Sequence, residues 1–581
     1  MDWIDKAGAS PLPNLELLRL DGYRKVESIQ VGLETQSRQS LRSGRGLAPL
    51  FFTMAPYQET DSLIAWLPDL IFAGGRFQSG LALVCDSSGT VVKLAPVNEL
   101  RNERRINLTN RAMLPGLINS HSHAFQRVLR GRTEYRSRDV PFSGGLLPAE
   151  SGGSTTPNAK VSRDSFWTWR EMMYSAATRL TPEDIYDASR LAFLEMALNG
   201  ITAVGEFHYL HHQPDGTPYD DPNLLVKEVM RAAGDVGLRI ALLRVAYARS
   251  GFQTDPNPRQ ARFIEKNPES YLRNLQRLID DVSRVRSPTV REGQVANDAL
   301  PHGRASDTAW VGVAPHSVRA VPLDYLKEII AHASRTNLKI HMHVAEQPAE
   351  VSACVEEYGR SPIALLQTEG LLGENFTAVH AIHVTAKAIA GFARTGAMVC
   401  ACPTTERNLG DGVVPADEYF KRNVPICLGT DSHAQIDLLE DARELEYHLR
   451  LQRLERAVLD RGSSPTVREG ASPVAAASHL PSSLAAALFD CATINGARSI
   501  GAPGGTFEPG KAADFFTVAV DDPSIAGAAP NDLLASIVFS LARAAVREVV
   551  VSGKPIVSEG QHLVQEEIVE RFIDLQKRLW G

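Results

Sequence analysis

Residues 112–123 read Ala-Met-Leu-Pro-Gly-Leu-Ile-Asn-Ser-His-Ser-His, an apolar run that ends in a His-x-His pair, His121 and His123. On a strand, two side chains one residue apart point to the same side, so both imidazoles can reach one cation. Neutral imidazole is the commonest protein ligand for zinc-like metals. The pair alone is equally compatible with a structural role, so the remaining ligands must come from elsewhere in the chain.

Short apolar runs alternate with amphipathic helical segments from Pro115 onward. Each run is continuous and rich in Val, Ile, Ala and Leu, as expected of parallel strands buried on both faces. The runs are Leu117–His123, Ile201–Tyr209, Leu238–Ala246, Trp310–His316, Lys339–Glu346, Thr377–His383, Ala397–Thr404 and Pro425–Asp431. Repeated strand–helix units of this number predict an α/β fold, a (β/α)8 TIM-type barrel.

Polar residues that could bind a metal or transfer a proton lie at the ends of these runs. They are His121, His123, His208, Tyr209, His316, His343, Glu346, His380 and Asp431. In a (β/α)8 barrel the active site is built at the C-terminal ends of the strands. The sequence therefore predicts one site at that end of the barrel.

The chain on both sides of the barrel has a different pattern. Residues 62–113 and 499–562 contain short alternating runs separated by turns, which are typical of antiparallel strands. We expect these two flanks to join in a small β-sandwich domain beside a barrel at 114–498, with a C-terminal helix at 563–581. Residues 1–61 show no clean periodicity and are expected to form an N-terminal extension, with Met54 as an alternative start.

Three segments interrupt the barrel pattern, at 136–163, 284–309 and 458–483, and all are rich in Ser, Pro, Gly and Ala. Two of them contain the same heptapeptide, Ser-Pro-Thr-Val-Arg-Glu-Gly, at 287–293 and 464–470. Added length in surface loops costs little free energy, so we interpret all three as loop insertions. A docking role for the repeated peptide is the alternative.

Composition excludes several classes of function. The 581 residues carry a formal net charge of −7, with no basic patch of the kind that binds nucleic acid. An uncharged apolar stretch of membrane-spanning length is not found, nor is a signal peptide. The six cysteines have no disulfide-framework spacing, which indicates the reducing cytoplasm. We interpret Cys400 and Cys402 as buried strand thiols, with metal ligation as the alternative.

The polar strand ends supply a plausible metal site. His121, His123 and His343 with Asp431 would give three imidazoles and a carboxylate, leaving a position open for water. A divalent metal lowers the pKa of bound water from about 15.7 to about 7. Glu346, just past the fifth strand, would move the water's proton to a leaving nitrogen, and His380 and Asp431 would orient and deprotonate the water.

The order of these residues resembles the amidohydrolase superfamily. Members with two metals usually place a modified lysine after the fourth strand, whereas this chain has His316 there, which points to the one-metal, deaminase-like branch. Longer strings resemble the formimidoylglutamate deiminase family within that superfamily. They are 119–127 (NSHSHAFQR), 166–171 (FWTWRE), 206–212 (EFHYLHH), 314–321, 343–347 (HVAEQ), 402–412 (CPTTERNLGDG) and 429–433 (GTDSH).

This resemblance implies residue roles and a reaction. It implies one divalent metal, with Zn²⁺ preferred over iron or manganese, at His121, His123, His343 and Asp431, and catalysis by Glu346, His380 and Asp431. It implies that the substrate is contacted by Gln126, Arg170, Tyr209, His316 and Arg319. The implied reaction converts N-formimino-L-glutamate to N-formyl-L-glutamate and ammonia in histidine degradation, by a homodimer acting on a small acidic substrate.

Two other functions stay open from the sequence. One is deamination of a nucleobase or similar heterocycle in the same one-metal branch, although paired arginines suit carboxylates better than a base. The other is a non-catalytic scaffold of the same fold, which would be marked by a missing metal ligand. The insertion at 136–163 departs from the family pattern and leaves the position of Arg170 open.

Overall fold

The computed structural model describes residues 63–134, 165–285, 308–460 and 483–581. The expected extension at 1–61 and the insertion at 136–163 lie outside these ranges. So do both heptapeptide copies and most of the other two insertions. Our interpretations of these segments stay predictions.

Two sheets contain the strands of the described residues. The strands are β1 Ile64–Ala73, β2 Arg76–Gln78, β3 Leu81–Cys85, β4 Val91–Pro96, β5 Arg104–Pro115, β6 Leu117–Ser122, β7 Ile201–His208, β8 Arg239–Ala246, β9 Ala309–Pro315, β10 Ile340–Val344, β11 Phe376–His380, β12 Met398–Ala401, β13 Ile426–Leu428, β14 Phe515–Ala519, β15 Val546–Val551, β16 Lys554–Ser558 and β17 Gln561–His562.

The helices are numbered in chain order. They are α1 Phe166–Ala177, α2 Pro182–Leu198, α3 Leu224–Val236, α4 Pro268–Val285, α5 Leu323–Arg335, α6 Pro348–Tyr358, α7 Pro362–Thr368, α8 Ala386–Thr395, α9 Pro403–Leu409, α10 Ala416–Lys421, α11 Leu438–Arg453, α12 Leu484–Ala492, α13 Ile494–Ile500, α14 Leu533–Ser540 and α15 Gln565–Trp580. Within the described ranges, none is long and apolar enough to cross a membrane.

Strands β6 to β13 form the predicted eight-stranded parallel barrel. Each pairs with its sequence neighbour, in the order β13-β12-β11-β10-β9-β8-β7-β6. A parallel bridge between Ser122 and Asp431 joins the two ends of this sheet and closes the barrel. Every residue of β6, β7 and β8 is buried, as strands covered on both faces must be.

The helices cover the outside of the barrel with their apolar faces. In α3 the buried residues include Leu225, Val229, Ala232 and Val236, which recur at the three- and four-residue spacing of one helix face. Gly237 ends this helix in the left-handed conformation, with φ of 88°, which glycine adopts without a Cβ penalty. This arrangement leaves the strand ends free to carry polar side chains.

The last three strands of the barrel end earlier in the chain than the sequence predicted. The seventh strand, β12, ends at Ala401 instead of Thr404, because Pro403 begins α9. Proline lacks the N–H of a ladder but suits the first turn of a helix. The sixth strand ends at His380, and the eighth at Leu428. The polar residues beyond these ends turn out of the ladder.

The two flanks of the barrel combine, as predicted, into a second sheet. β14, from beyond the barrel, pairs antiparallel with β5, from before it, and the resulting sheet has nine strands. This one sheet curls back on itself. The Val91 N–H on β4, at one edge of the sheet, donates at 2.8 Å to the carbonyl of Lys511, which lies just before β14. Trp66 and Phe515 pack edge to face inside the curl, with ring centroids 5.1 Å apart. The sandwich is therefore built from one continuous sheet.

Candidate metal centre and active site

Three imidazoles and one carboxylate meet at the barrel closure. The Nε2 atom of His121 lies 3.2 Å from Nε2 of His123 and 3.1 Å from Nε2 of His343. Nε2 of His123 and Nε2 of His343 are 3.4 Å apart. Asp431 Oδ1 lies 3.2 Å from the His123 nitrogen and 3.5 Å from the His121 nitrogen. All four side chains are buried, and the group could hold a metal ion.

The spacing of these atoms fits the coordination shell of a small divalent ion. Ligand bonds of about 2.0–2.1 Å give ligand–ligand edges of about 2.9 Å at a right angle and about 3.3–3.4 Å in a tetrahedron. The observed edges of 3.1–3.5 Å lie in or close to this range. The four atoms are therefore already arranged around a common centre.

The protonation state of the histidines also fits a cation. Nδ1–H of His123 donates to the Phe207 carbonyl at 2.8 Å, and Nδ1–H of His343 donates to the His316 carbonyl at 3.2 Å. Each of these Nε2 atoms then presents a lone pair to the centre. Burial lowers the pKa of His121 to about 4 and holds the pKa of His343 well below its usual range. A divalent cation at the centre of the group could accept the Nε2 lone pairs that His123 and His343 present.

Backbone conformation at the strand ends turns the ligands inward. Asp431 and His380 have φ of 45° and 67°, and Ala345, just before Glu346, has φ of 53°. Residues other than glycine adopt this left-handed region only at a free-energy cost of about 1–3 kcal/mol each. Such conformations are kept where the surrounding structure fixes them, and here they lie around the four-ligand group.

A buried clamp holds the two ligand segments together. The Ser122 hydroxyl donates to Glu206 Oε2 at 2.5 Å and lies 3.0 Å from Nε2 of His433. Nδ1 of His433 is 3.0 Å from the Thr430 hydroxyl, and the Ala124 N–H donates to Glu206 Oε1 at 2.8 Å. Burial raises the pKa of Glu206 to about 7. Ser122 lies between His121 and His123, so this clamp fixes the strand that carries both.

Glu346 and His380 lie beside the four-ligand group of His121, His123, His343 and Asp431. Nε2 of His380 is 3.6 Å from Glu346 Oε1 and 3.6 Å from Asp431 Oδ2. Burial raises the pKa of Glu346 to about 7, against the lowering effect of His380. Burial would lower the pKa of His380, but Glu346, Glu406 and Asp431 outweigh it and raise it to about 10. Glu346 and His380 thus form a buried ion pair next to the four candidate ligands.

Four supporting residues were missed in the sequence, and the structure places them here. Glu406 lies 3.2 Å from Nδ1 of His380 and orients that ring, and Glu350 accepts the backbone N–H groups of Ala345 and Glu346, each at 3.1 Å. Glu206 and His433 belong to the clamp. A carboxylate inside an apolar run, such as Glu206, must have a buried polar partner, and that was the available signal.

The residues expected to contact substrate surround the same centre. Tyr209 packs its ring 5.2 Å from that of His123, and its hydroxyl accepts from Gln126 Nε2 at 2.7 Å. The ring of His316 lies 4.8 Å from that of His343 and 4.6 Å from that of Tyr247. The Gln126 side-chain oxygen is buried with no hydrogen-bond partner among the described residues.

Arg170 and Arg319 approach this pocket from two different elements. The pKa of His316 is held well below its usual range by burial, then by charges that include both arginines. The Arg170 guanidinium stacks 4.6 Å from the centre of the Trp167 ring. Nε and Nη1 of Arg170 and Nη1 of Arg319 are buried and lack a hydrogen-bond partner within the described ranges.

Three other histidines have hydrogen-bond partners away from the four-ligand group, and one of them, His208, was expected at the site from its position at a strand end. His341 is buried with Nε2 3.1 Å from the Ser499 hydroxyl. Nε2–H of His383 donates to the Asp411 carbonyl at 2.8 Å, beyond the end of β11. His208 has its Nε2 2.9 Å from the Leu210 carbonyl. These three histidines have local structural partners.

Comparison with known proteins gives consistent relatives. The amidohydrolase family model matches residues 112–556. A formimidoylglutamate deiminase from Pseudomonas aeruginosa is 34% identical over 465 residues, which covers 80% of this chain and 88% of that protein. A 5-methylthioadenosine/S-adenosylhomocysteine deaminase from Pyrococcus abyssi is 26% identical over 473 residues, covering 81% of this chain and 88% of that protein.

The fold has the same relatives. The crystal structure of an amidohydrolase from Brucella melitensis superposes with a TM-score of 0.71 at 28% sequence identity, and covers 90% of this chain and 100% of that chain. The match extends over both the barrel and the flanking sheet.

Proposed function

This chain belongs to the amidohydrolase family and is a hydrolase of C–N bonds, and from that premise we propose that it converts N-formimino-L-glutamate to N-formyl-L-glutamate and ammonia. One zinc ion would be held by His121, His123, His343 and Asp431. The cytoplasmic location and the homodimer expected from the sequence stay predictions.

The observation that carries this substrate is the pair of arginines beside the metal cluster. Nε and Nη1 of Arg170 and Nη1 of Arg319 are buried without a hydrogen-bond partner among the described residues, and leaving such polar atoms unpaired costs free energy. The proposed substrate brings two carboxylates and a formimino group. Guanidinium forks bind carboxylates through paired hydrogen bonds, so Arg170 and Arg319 would hold the carboxylates while the formimino carbon reaches the metal.

A divalent ion held by the four-ligand group would supply a water of lowered pKa for attack on the formimino carbon. Glu346 takes one proton of the attacking water and delivers it to the –NH2 nitrogen of the cationic formimino group, whose C=N bond becomes single as the oxygen adds. The C–N bond then breaks and ammonia leaves, while the second proton of the oxygen passes to the Glu346 carboxylate as the C=O bond forms. A pKa raised to about 7 by burial suits Glu346 to both steps at neutral pH.

His380 orients the attacking water. Nδ1–H of its ring donates to Glu406, so Nε2 faces Glu346 and Asp431 at 3.6 Å from each. From that position the Nε2–H group of the protonated ring can donate a hydrogen bond to the oxygen that attacks. Gln126 and Tyr209, which bond each other, would contact the amino acid part of the substrate.

Deamination of a nucleoside or heterocycle is the second candidate. It is favoured by the relative from Pyrococcus abyssi, whose name gives that activity, and by the aromatic rings of Tyr209, Tyr247 and Phe207 around His316. A flat base would stack on such rings. It would leave Nε and Nη1 of Arg170 and Nη1 of Arg319 without a hydrogen-bond acceptor, which is why we place it second.

Ammonia release from the zinc-loaded full chain tests the proposal. The substrates to compare are N-formimino-L-glutamate, N-formimino-γ-aminobutyrate, which lacks one carboxylate, cytosine, guanine, adenosine and 5′-methylthioadenosine. We expect turnover of the first, much weaker turnover of the second and none of the others. Ammonia release from a base or nucleoside but not from N-formimino-L-glutamate would establish the second candidate instead.

A further inference from the structure

A second group of metal-ligating side chains lies on the far side of His380 from the four-ligand centre. It consists of His380, Cys402 and Glu406, all buried, and their donor atoms lie within 4.8 Å of one another. The group offers a nitrogen, a sulfur and an oxygen. The mechanism proposed above uses neither the Cys402 thiol nor any direct contact of Glu406 with the substrate.

The chain forms this group at one tight turn. Cys402 follows β12 and is the N-cap residue of α9, whose first turn brings Glu406 back over it. The Cys402 N–H donates to Glu406 Oε1 at 2.9 Å, and the Glu406 N–H donates to the Cys402 carbonyl at 2.9 Å. The same Oε1 accepts Nδ1–H of His380 at 3.2 Å. The donors are therefore fixed by backbone as well as by side-chain contacts.

Thiolate combined with imidazole and carboxylate is a donor set for zinc and for softer divalent ions such as cadmium. Three buried thiols, Cys400, Cys402 and Cys427, pack with Val379 and Met398 in one small apolar cluster, and Cys400 pairs in register with Cys427 across β12 and β13. Neither Cys400 nor Cys427 has a histidine and a carboxylate around its sulfur within the described ranges.

We propose that His380, Cys402 and Glu406 form a second site for a zinc-like or cadmium-like ion, and that an ion there inhibits the enzyme. Binding releases the thiol proton of Cys402 and the Nδ1 proton of His380, because both atoms bind the ion. The hydrogen bond between Nδ1 of His380 and Glu406 Oε1 is then replaced by bonds of both atoms to the ion. The ring thereby loses the contact that orients its Nε2 toward Glu346 and Asp431.

Metal binding without substrate tests the site itself. The full chain with one equivalent of zinc is titrated with Cd²⁺ or Co²⁺, and the near-ultraviolet thiolate-to-metal absorption and the total metal content are recorded. We expect a second equivalent and a thiolate band in the wild type, and loss of both in Cys402→Ser. Cys400→Ser is the matched control and should keep both. A band that persists in Cys402→Ser, or the absence of a second equivalent in the wild type, overturns the proposal.

The inhibitory effect rests on the proposed function and needs its own measurement. Each variant's turnover is compared with its own rate before excess metal is added. We expect Cys402→Ser to raise the inhibitory concentration of Cd²⁺ by about tenfold or more relative to wild type and Cys400→Ser, since one of three ligands is lost. Equal inhibition of both variants would show that the ion acts elsewhere.

The two proposals can fail independently. A Cys402-dependent band in a protein that does not release ammonia from N-formimino-L-glutamate would sink the substrate assignment and leave the second metal site standing. Normal turnover with no Cys402-dependent band would do the opposite. If Cys402→Ser loses its cooperative thermal transition, Cys402→Ala replaces it, because alanine introduces no polar atom into the buried turn.

Discussion

Ser122 and Asp431 pair through their backbones where the first and last strands of the barrel meet. The Asp431 N–H donates to the His121 carbonyl at 3.0 Å, and the His123 N–H donates to the Asp431 carbonyl at 3.0 Å. The bonds that close the barrel are thus made by three of the four proposed metal ligands. Closure of the barrel therefore brings three of the four proposed ligands together.

Ser122→Ala should weaken metal binding. The variant loses the hydroxyl that bonds Glu206 and His433, and so loosens the strand that carries His121 and His123. Loss of such outer partners typically lowers metal affinity by about 10- to 100-fold. A competition titration with a chromophoric chelator measures it. Ser120→Ala is the control, because Ser120 is equally buried on β6 but has no hydrogen bond to Glu206 or His433. Equal metal affinity of the Ser122 variant and wild type would show that the hydrogen bonds of Ser122 do not support the metal site.

Gly429→Ala should disturb the same closure from the other strand. A Cβ atom at Gly429 would lie 2.7 Å from Cβ of His121 and 2.9 Å from its carbonyl oxygen, so backbone must move. Overpacking of this kind costs about 1–3 kcal/mol of unfolding free energy. We expect that loss in urea unfolding, together with reduced metal content by elemental analysis.

The control for that substitution is Gly234→Ala in α3, where a Cβ meets nothing within 4 Å. Alanine in place of a helical glycine should be neutral or stabilising, by about 0.5–1 kcal/mol. If both glycine variants retained wild-type metal content, the tight contact at His121 would not matter for the site.

Glu346→Gln should remove turnover and spare the metal. Glutamine cannot accept the water proton, and a positioned acid–base residue contributes about 10²- to 10⁴-fold to the rate. Glu346 is not among the four atoms of the metal group, so metal content should stay at the wild-type value. Glu356→Gln, on the exposed face of α6, is the control. Near-normal kcat in Glu346→Gln would mean that another group moves the proton.

Arg319→Met should raise KM for the dicarboxylate substrate. A hydrogen bond to a charged group contributes about 1.5–3 kcal/mol, which corresponds to a change of about 10- to 100-fold. For N-formimino-γ-aminobutyrate, if the missing carboxylate is the one that Arg319 holds, the same variant should change kcat/KM little. Arg273→Met, exposed on α4, is the control. A similar loss on both substrates would show that Arg319 does not hold the α-carboxylate, and an unchanged KM for N-formimino-L-glutamate would remove Arg319 from the binding site.

Stability at low pH should depend on a buried ion pair away from the site. Glu265 lies 2.5 Å from the Arg244 guanidinium. Burial would raise the pKa of Glu265, but Arg244 and His211 outweigh it and lower it from 4.5 to about 2. A folded-state pKa below the unfolded one stabilises the fold above about 4.5, and this contribution is lost as pH falls through about 2.

Urea unfolding between pH 6 and pH 2 measures this contribution. Glu265→Gln leaves the Arg244 charge buried and uncompensated, which should cost about 3–5 kcal/mol at pH 6, and the deficit should shrink toward pH 2. Glu269→Gln, an exposed neighbour, should follow the wild-type pH dependence. A deficit for Glu265→Gln that does not change with pH would indicate a packing defect instead of a lost ion pair.

The sequence by itself determined the barrel and the residues at its mouth. Apolar runs separated by helical segments indicate buried parallel strands. This pattern lies in neighbouring residues of the chain, so the sequence alone is enough to find it. Polar residues at the ends of those runs, such as His343 and Asp431, follow directly, since the ends of parallel strands share one edge. The family resemblance added roles for Gln126 and Arg319 that periodicity cannot give.

Only the tertiary structure decided which partners hold these residues. Ser122 meets His433 across 311 residues of sequence. Glu406 reaches His380 from a helix whose first two residues, Pro403 and Thr404, the apolar pattern had assigned to a strand. Local patterns carry no information on such pairings, which depend on barrel closure and on the turn made by Pro403. The unpartnered Arg170 nitrogens and the contact of Cys402 with Glu406 likewise exist only once the strand ends converge.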